Sequence, residues 1–152
     1  MTEIQKFFIN KLIFGKFEII KKKGEDVCSQ IYLGKNINSQ EIVSLKIQEK
    51  KAVYANLEKE AYYLYLLKGF GIPKIISYGF SGNYNILIEE SLGKSLEELF
   101  QECKKKLSLK TVCFLAQQML DRMEFIHNKH IIHRDIKPDN FVMGLNNKSD
   151  IV

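Results

Sequence analysis

The chain has 152 residues, 45% hydrophobic and 27% charged, which is an ordinary globular balance at the length of one domain and leaves room for a single core. Its net charge of +5, gathered largely at Lys21 to Lys23 and Lys104 to Lys106, suits acidic or phosphorylated partners or a plainly solvated face, and no paired Cys/His spacing or glycine-aromatic run supports nucleic acid. The three cysteines are too few and too scattered for a disulfide framework or a zinc site, Glu3, Lys6, Lys11 and Lys16 break any signal-peptide core, and no stretch approaches the roughly 18 apolar residues of a membrane span.

In chain order, "KFEIIKK" and "SQIYLGKN" read as strands, the second with Ile31 and Leu33 on one face, and "KGEDVC" between them reads as a polar turn. A turn at Asn36 to Ser39 leads to the strand "EIVSLKIQ". Period two puts Val43, Leu45 and Ile47 on one side of it and Ser44 and Lys46 on the other. Residues 55–68 carry a helical period that stops at Gly69. After Pro73, "KIISYGFSGNYNILIEES" reads as a hairpin turning at Gly82 and Asn83.

Composition changes near Leu92 and Gly93, where strands give way to helices. Ser95 and Glu98 form a capping-box pattern for a short helix, because serine can accept from the third amide while the glutamate reaches back to the cap amide. Ser108 can cap a longer helix with an apolar stripe of Val112, Leu115, Ala116, Met119, Leu120, Met123 and Ile126.

Two constellations carry chemistry. In "HRDIKPDN", Asp135 can accept or orient a hydroxyl proton, Lys137 can neutralise a phosphoryl group, and Asn140 can ligate a divalent metal. On residue types alone, a surface loop whose Asp and Asn cap local backbone accounts for them better. Lys46 is the second: an exposed strand lysine on the bland reading, or a phosphate-binding lysine held by Glu60, 14 residues on. Glu58 is the local alternative to Glu60 but faces elsewhere on the helix.

With these residues stated, the chain resembles the first half of a eukaryotic protein kinase domain, and specifically the casein kinase I family of serine/threonine kinases. The matching stretches are "IYLGKNI", "SLK", "GFGIPKI", "GNYNILIEE", "LGKSLEELF", "LSLKTV" and "FIHNKHIIHRDIKPDNFVMGL"; "GIP" and "PDNF-x-MG" carry the narrower likeness. The resemblance implies an α+β, protein kinase-like fold. A five-stranded antiparallel small lobe with one regulatory helix would fill residues 17–90, a hinge residues 91–93, and the first helices and catalytic loop of the large lobe residues 94–152, with 1–16 as an N-terminal extension.

It further implies transfer of the ATP γ-phosphate, with Mg2+, to Ser or Thr hydroxyls of protein substrates that are acidic or pre-phosphorylated. The expected setting is the cytoplasm and nucleus, with no membrane or nucleic-acid partner. Asp135 would accept the substrate proton, Lys137 contact the transferring phosphate, Asn140 hold magnesium, and Lys46 engage the α and β phosphates with Glu60 as its partner. Gly24 belongs to the phosphate loop, Glu90 and Leu92 to the hinge, and Ile31 and Val142 to the adenine sandwich, while His133 and Arg134 would be structural. A non-catalytic, pseudokinase-like binding module is the alternative.

Departures accompany the matches. Asp26 and Ser29 stand where phosphate-loop glycines are expected, Glu89 where a bulky apolar residue closes the adenine pocket, Ser44 at an alanine position and Lys94 at a proline position. They imply weaker nucleotide binding than in a standard member. The sequence stops ahead of the expected "DFG" segment, so the 152-residue chain is expected to lack phosphotransfer and to expose the stripe of its long helix.

Overall fold

The computed structural model describes residues 3–25, 29–52 and 56–145. Asp26, Cys28, Ala55 and the segment 146–152 therefore lie outside the described residues. The chain forms two compact units, Met1–Leu66 with Lys74–Ser91, and Leu67–Pro73 with Leu92–Val152.

In the first unit five strands form one antiparallel sheet: β1 (Phe17–Glu25), β2 (Gln30–Asn36), β3 (Ile42–Glu49), β4 (Ile75–Ser81) and β5 (Tyr84–Glu90), in the order β1-β2-β3-β5-β4. Alternation sorts β3 as expected. Val43, Leu45 and Ile47 enter the main core with Tyr32, Tyr84, Ile86 and Ile88, whereas Ser44, Lys46 and Gln48 fall on the opposite face. On β2 the core residue is Tyr32, so Ile31 and Leu33 share the face of their cross-strand partners Lys46 and Ser44. β1 runs further into "KGEDVC" than its sequence suggests. Gly24 and Glu25 remain in β1, paired with Ile31 and Gln30, and register shifts near Ile19–Lys21 and Lys22–Gly24 absorb the irregularity.

Helix α1 (Glu3–Phe7) and the turn after it cover the core face of the sheet through Ile4, Phe8 and Ile13. Phe7 and Phe8 pack on Tyr84 at ring distances of 5.1 and 5.7 Å. On the opposite face lies α2 (Leu57–Leu66), whose Leu57 and Ala61 bury against Leu87, with Leu64, Ile75 and Tyr78 around them. Its other side is polar and aromatic, with Tyr62 and Tyr65 exposed.

The second unit holds α3 (Leu96–Glu102), α4 (Leu109–Asn128) and a 3-10 turn at Pro138–Asn140. The capping box forms: Ser95 Oγ accepts from the Glu98 amide at 3.1 Å and Glu98 Oε2 accepts from the Ser95 amide at 2.8 Å. Ser108 caps α4 by accepting from the Thr111 amide at 3.1 Å. Along the expected α4 stripe, Leu115, Met119 and Met123 pack around Leu96 and Phe141 and Ile126 is buried, whereas Val112 and Leu120 are exposed. Helix α4 ends in a Schellman turn. His130, at φ 58°, donates to the His127 carbonyl at 2.8 Å, and Ile131 donates to the Ile126 carbonyl at 3.3 Å.

The chain after the Pro138–Asn140 turn pairs with the lead-in to α3. Gly93 donates to the Met143 carbonyl, Met143 to the Lys94 carbonyl and Leu96 to the Phe141 carbonyl, at 2.8 to 2.9 Å. Ser95 stands opposite Val142 in this bridge. Ser95→Ala is therefore expected to cost about 1 kcal/mol, the usual loss of an N-cap acceptor, read as a lower urea midpoint with unchanged slope. A loss within error would show that the bridge alone holds the start of α3.

Candidate active site

One cluster lies on the α2 face of the sheet. Lys46 Nζ donates to Glu60 Oε1, forming the pair spaced 14 residues apart. Glu58 takes no part in it. The same ammonium lies 3.3 Å from Glu89 Oε1. The register explains this: Lys46 stands opposite Leu87 on β5, so Glu89, two residues on, is its diagonal neighbour on the same face. Glu89 is 6% exposed, and its Oε2 has no hydrogen-bond partner among the described residues.

The cluster thus shares one cation between two carboxylates. Burial alone would drive Lys46 toward the neutral amine, but Glu89 and Glu60 outweigh it and raise its pKa above the usual lysine value. Burial pushes the Glu89 carboxyl up, Lys46 opposes that shift, and Glu60 reinforces it. The desolvation anticipated for a buried glutamate here is answered on one oxygen only.

The registers set several of the expected residues in one lateral row. Gly24 faces Ile31, Ile31 faces Lys46, and Lys46 faces Leu87. Ile31 is half-buried, and a side chain on Gly24 would meet nothing within 4 Å. Ser29 is buried just before β2, and Ser44 is buried opposite Glu89. Glu90 closes β5: its amide donates to the Lys74 carbonyl, and its Oε1 accepts from the Lys74 amide, each at 2.9 Å.

The second cluster belongs to the other unit. Lys137 Nζ lies 2.9 Å from Asp135 Oδ2. Asn140 Nδ2 donates to that same oxygen at 3.1 Å and to the Asp135 carbonyl at 2.7 Å. The Asp135 amide in turn donates to His133 Nδ1 at 3.3 Å. Arg134, between them, takes a left-handed φ of 66°, which turns the backbone sharply at this point. Hydrogen bonding from Lys137, then from Asn140, holds the Asp135 carboxyl below the ordinary aspartate value. It is ionised at neutral pH and suited to accept a hydrogen bond from a hydroxyl.

Because Asn140 uses its amide nitrogen for Asp135, its side-chain oxygen takes part in neither bond. That is a hard oxygen donor of the kind magnesium accepts, with phosphate oxygens and water completing such sites. Among the described residues no three His, Cys, Asp or Glu side chains converge as a metal cage. Val142 is half-buried in the bridge to Ser95, Leu92 is half-buried ahead of it, and Lys94 pairs with Glu102.

The sequence reading missed two contributors. Glu89 drew notice as a departure, but without its tie to Lys46. Gln48 drew none, although the alternation that singles out Lys46 also places Gln48 on the same face. No helix among the described residues is long and apolar enough to cross a membrane.

A five-stranded antiparallel sheet, a helix whose glutamate meets the β3 lysine, and a loop that ties an aspartate to a lysine and an asparagine all occur along the stretch that matches the family model for the protein kinase domain, residues 17–151. The chain belongs to the protein kinase family.

Proposed function

We propose that the protein is a serine/threonine kinase of casein kinase I type, transferring the γ-phosphate of ATP to hydroxyls of acidic or pre-phosphorylated protein substrates. The observation that carries this reading is the prearranged Asp135–Lys137–Asn140 loop. Protein kinases generally place such residues at the transferring phosphate. The segments "GIP" at Gly71 to Pro73 and "PDNF-x-MG" at Pro138 to Gly144 support the narrower assignment. The positive surplus, including exposed Lys104 to Lys106, supports acidic substrates.

In this reading Asp135 orients the substrate hydroxyl and accepts its proton, while Lys137 offsets charge on the phosphoryl group. Lys46, steadied by Glu60, contacts the α and β phosphates. Gly24, Ile31, Glu90, Leu92 and Val142 frame the nucleotide. Asn140 would supply an amide oxygen to magnesium, which neutralises phosphate charge when bound.

A second reading, a non-catalytic pseudokinase-like binding module, is favoured by Glu89, whose carboxylate competes with phosphate for Lys46. Asp26 adds negative charge within the phosphate-loop sequence.

Titration with magnesium and ATP, followed by transfer of labelled phosphate to a serine peptide rich in acidic residues, separates the two. In a chain that also carries the expected "DFG" segment, the kinase reading expects serine phosphorylation that Asp135→Asn lowers by about 100-fold or more. Nucleotide binding without transfer supports the second reading, and no binding overturns the nucleotide site. Asp26→Gly with Ser29→Gly is expected to tighten nucleotide binding by removing a charge and freeing backbone amides.

A further inference from the structure

We infer that Gln48 is a positioning residue that holds the first turn of α2 against β3, so that Glu60 is presented to Lys46. Gln48 is 3% exposed and lies two residues along β3 from Lys46, on the same face. Its Oε1 accepts from the Asn56 amide at 3.2 Å and the Leu57 amide at 3.3 Å. Amides at the start of a helix have no partner within it, and Leu57 is 2% exposed, so water is a poor substitute here.

The link to Glu60 is short. The Glu60 amide donates to the Asn56 carbonyl at 3.0 Å, and the Leu57 amide of that same peptide unit is held by Gln48. One peptide unit and two hydrogen bonds therefore join Gln48 to the residue that pairs with Lys46. Among the described residues α2 is also attached by the apolar contacts of Leu57, Ala61 and Leu64 with Leu87, Ile75 and Tyr78. Apolar contact is non-directional and lets a helix roll or slide, whereas hydrogen bonds fix its orientation. β3 thus grips α2 at two points, through the Gln48 side chain on the helix backbone and through charge at Lys46. The effect on nucleotide binding rests on the kinase reading, but the positioning itself does not.

The test needs no nucleotide, so its outcome is separable from that of the kinase reading. Acetylation of Lys46 by an amine-reactive ester is followed by mass spectrometry, with Lys94, which pairs with Glu102 in the other unit, as internal reference. Pairing keeps Lys46 protonated and slow to react. Glu60→Gln sets the rate of the lysine left with Glu89 as its only charged partner among the described residues. Gln48→Leu, which removes the acceptor, is expected to raise the Lys46 rate about threefold, equivalent to half a pKa unit. Gln48→Glu keeps an acceptor for both amides and is expected to bring the rate back to or below the wild-type value, since the added carboxylate also favours the ammonium. Should Gln48→Leu not fold, Gln48→Asn, one methylene too short, is read in the same way. An unchanged Lys46 rate in the acceptor-deficient variant, where Glu60→Gln raises it, overturns the inference. So does a Gln48→Glu rate as high as that of Gln48→Leu, because simple destabilisation would then suffice.

Discussion

Lys46→Met is expected to lose roughly 3 kcal/mol of stability near neutral pH and to recover most of it when Glu89→Met is added. Removing one partner of a buried ion pair strands the other, at a typical cost of about 3–5 kcal/mol. The low end applies because the Lys46 side chain keeps 23% of its exposure and water can relieve part of the charge. Glu89 is the stranded group, since it is buried and one of its oxygens already lacks a partner among the described residues.

The pH dependence follows from the raised carboxyl. Burial pushes Glu89 up and Lys46 opposes that shift, so without the lysine its folded pKa rises further. A folded pKa above the unfolded one means that the native state binds the proton more tightly. Stability attached to that proton is present below the unfolded value and lost as pH climbs through the folded value. The deficit of Lys46→Met should therefore be small below the ordinary glutamate value, where carboxyls are largely protonated, and grow as pH climbs through the raised one. The lysine's own raised pKa acts only in the alkaline range and leaves this window untouched. Urea titrations of wild type, Lys46→Met and the double variant across that range decide the matter. A deficit independent of pH, or no recovery in the double variant, would sink it.

Gly71→Ala is expected to cost about 3 kcal/mol, from two separable causes. Gly71 sits at φ 76°, a region that costs an L residue roughly 1–2 kcal/mol. An added Cβ would also stand 1.6 Å from Arg122 Nε and 2.1 Å from its Cδ. Arg122 is 7% exposed and lies over the Phe70 ring at 4.3 Å, so to retreat it must give up that contact, worth about 1–2 kcal/mol. In an Arg122→Ala background the clash is absent and only the backbone term remains. The penalty of Gly71→Ala should then fall to about 1 kcal/mol. Equal penalties in the two backgrounds would show that the arginine yields freely.

Features whose partners are near in sequence were legible. The capping box at Ser95 and Glu98 spans three residues, and β3 shows its two faces by simple alternation. The helix at 57–66 and the hairpin at 75–90 follow from period and turn residues. The Lys46–Glu60 pair is legible in the residues only as a candidate, which the family likeness strengthens, since 14 residues across a strand and a helix fix no geometry alone.

What stayed hidden depends on register and on the packing of distant segments. The diagonal approach of Glu89 to Lys46 requires knowing that Lys46 stands opposite Leu87. Gln48 caps a helix from a neighbouring strand, so no local motif announces it. Arg122 lies beside the apolar stripe of α4 and looks like a solvent residue until the 67–73 segment is seen packed over it.

The N-terminal segment illustrates the same limit and has a practical side. Residues 3–13 precede the stretch that matches the family model, which begins at residue 17. Yet Ile4, Phe8 and Ile13 are each at most 6% exposed and belong to the same core as Leu45 and Ile88. Homology and foldability therefore draw different boundaries. A recombinant product trimmed to the family limits would open a greasy window over the sheet, onto Tyr84 and its neighbours, and would invite aggregation during expression.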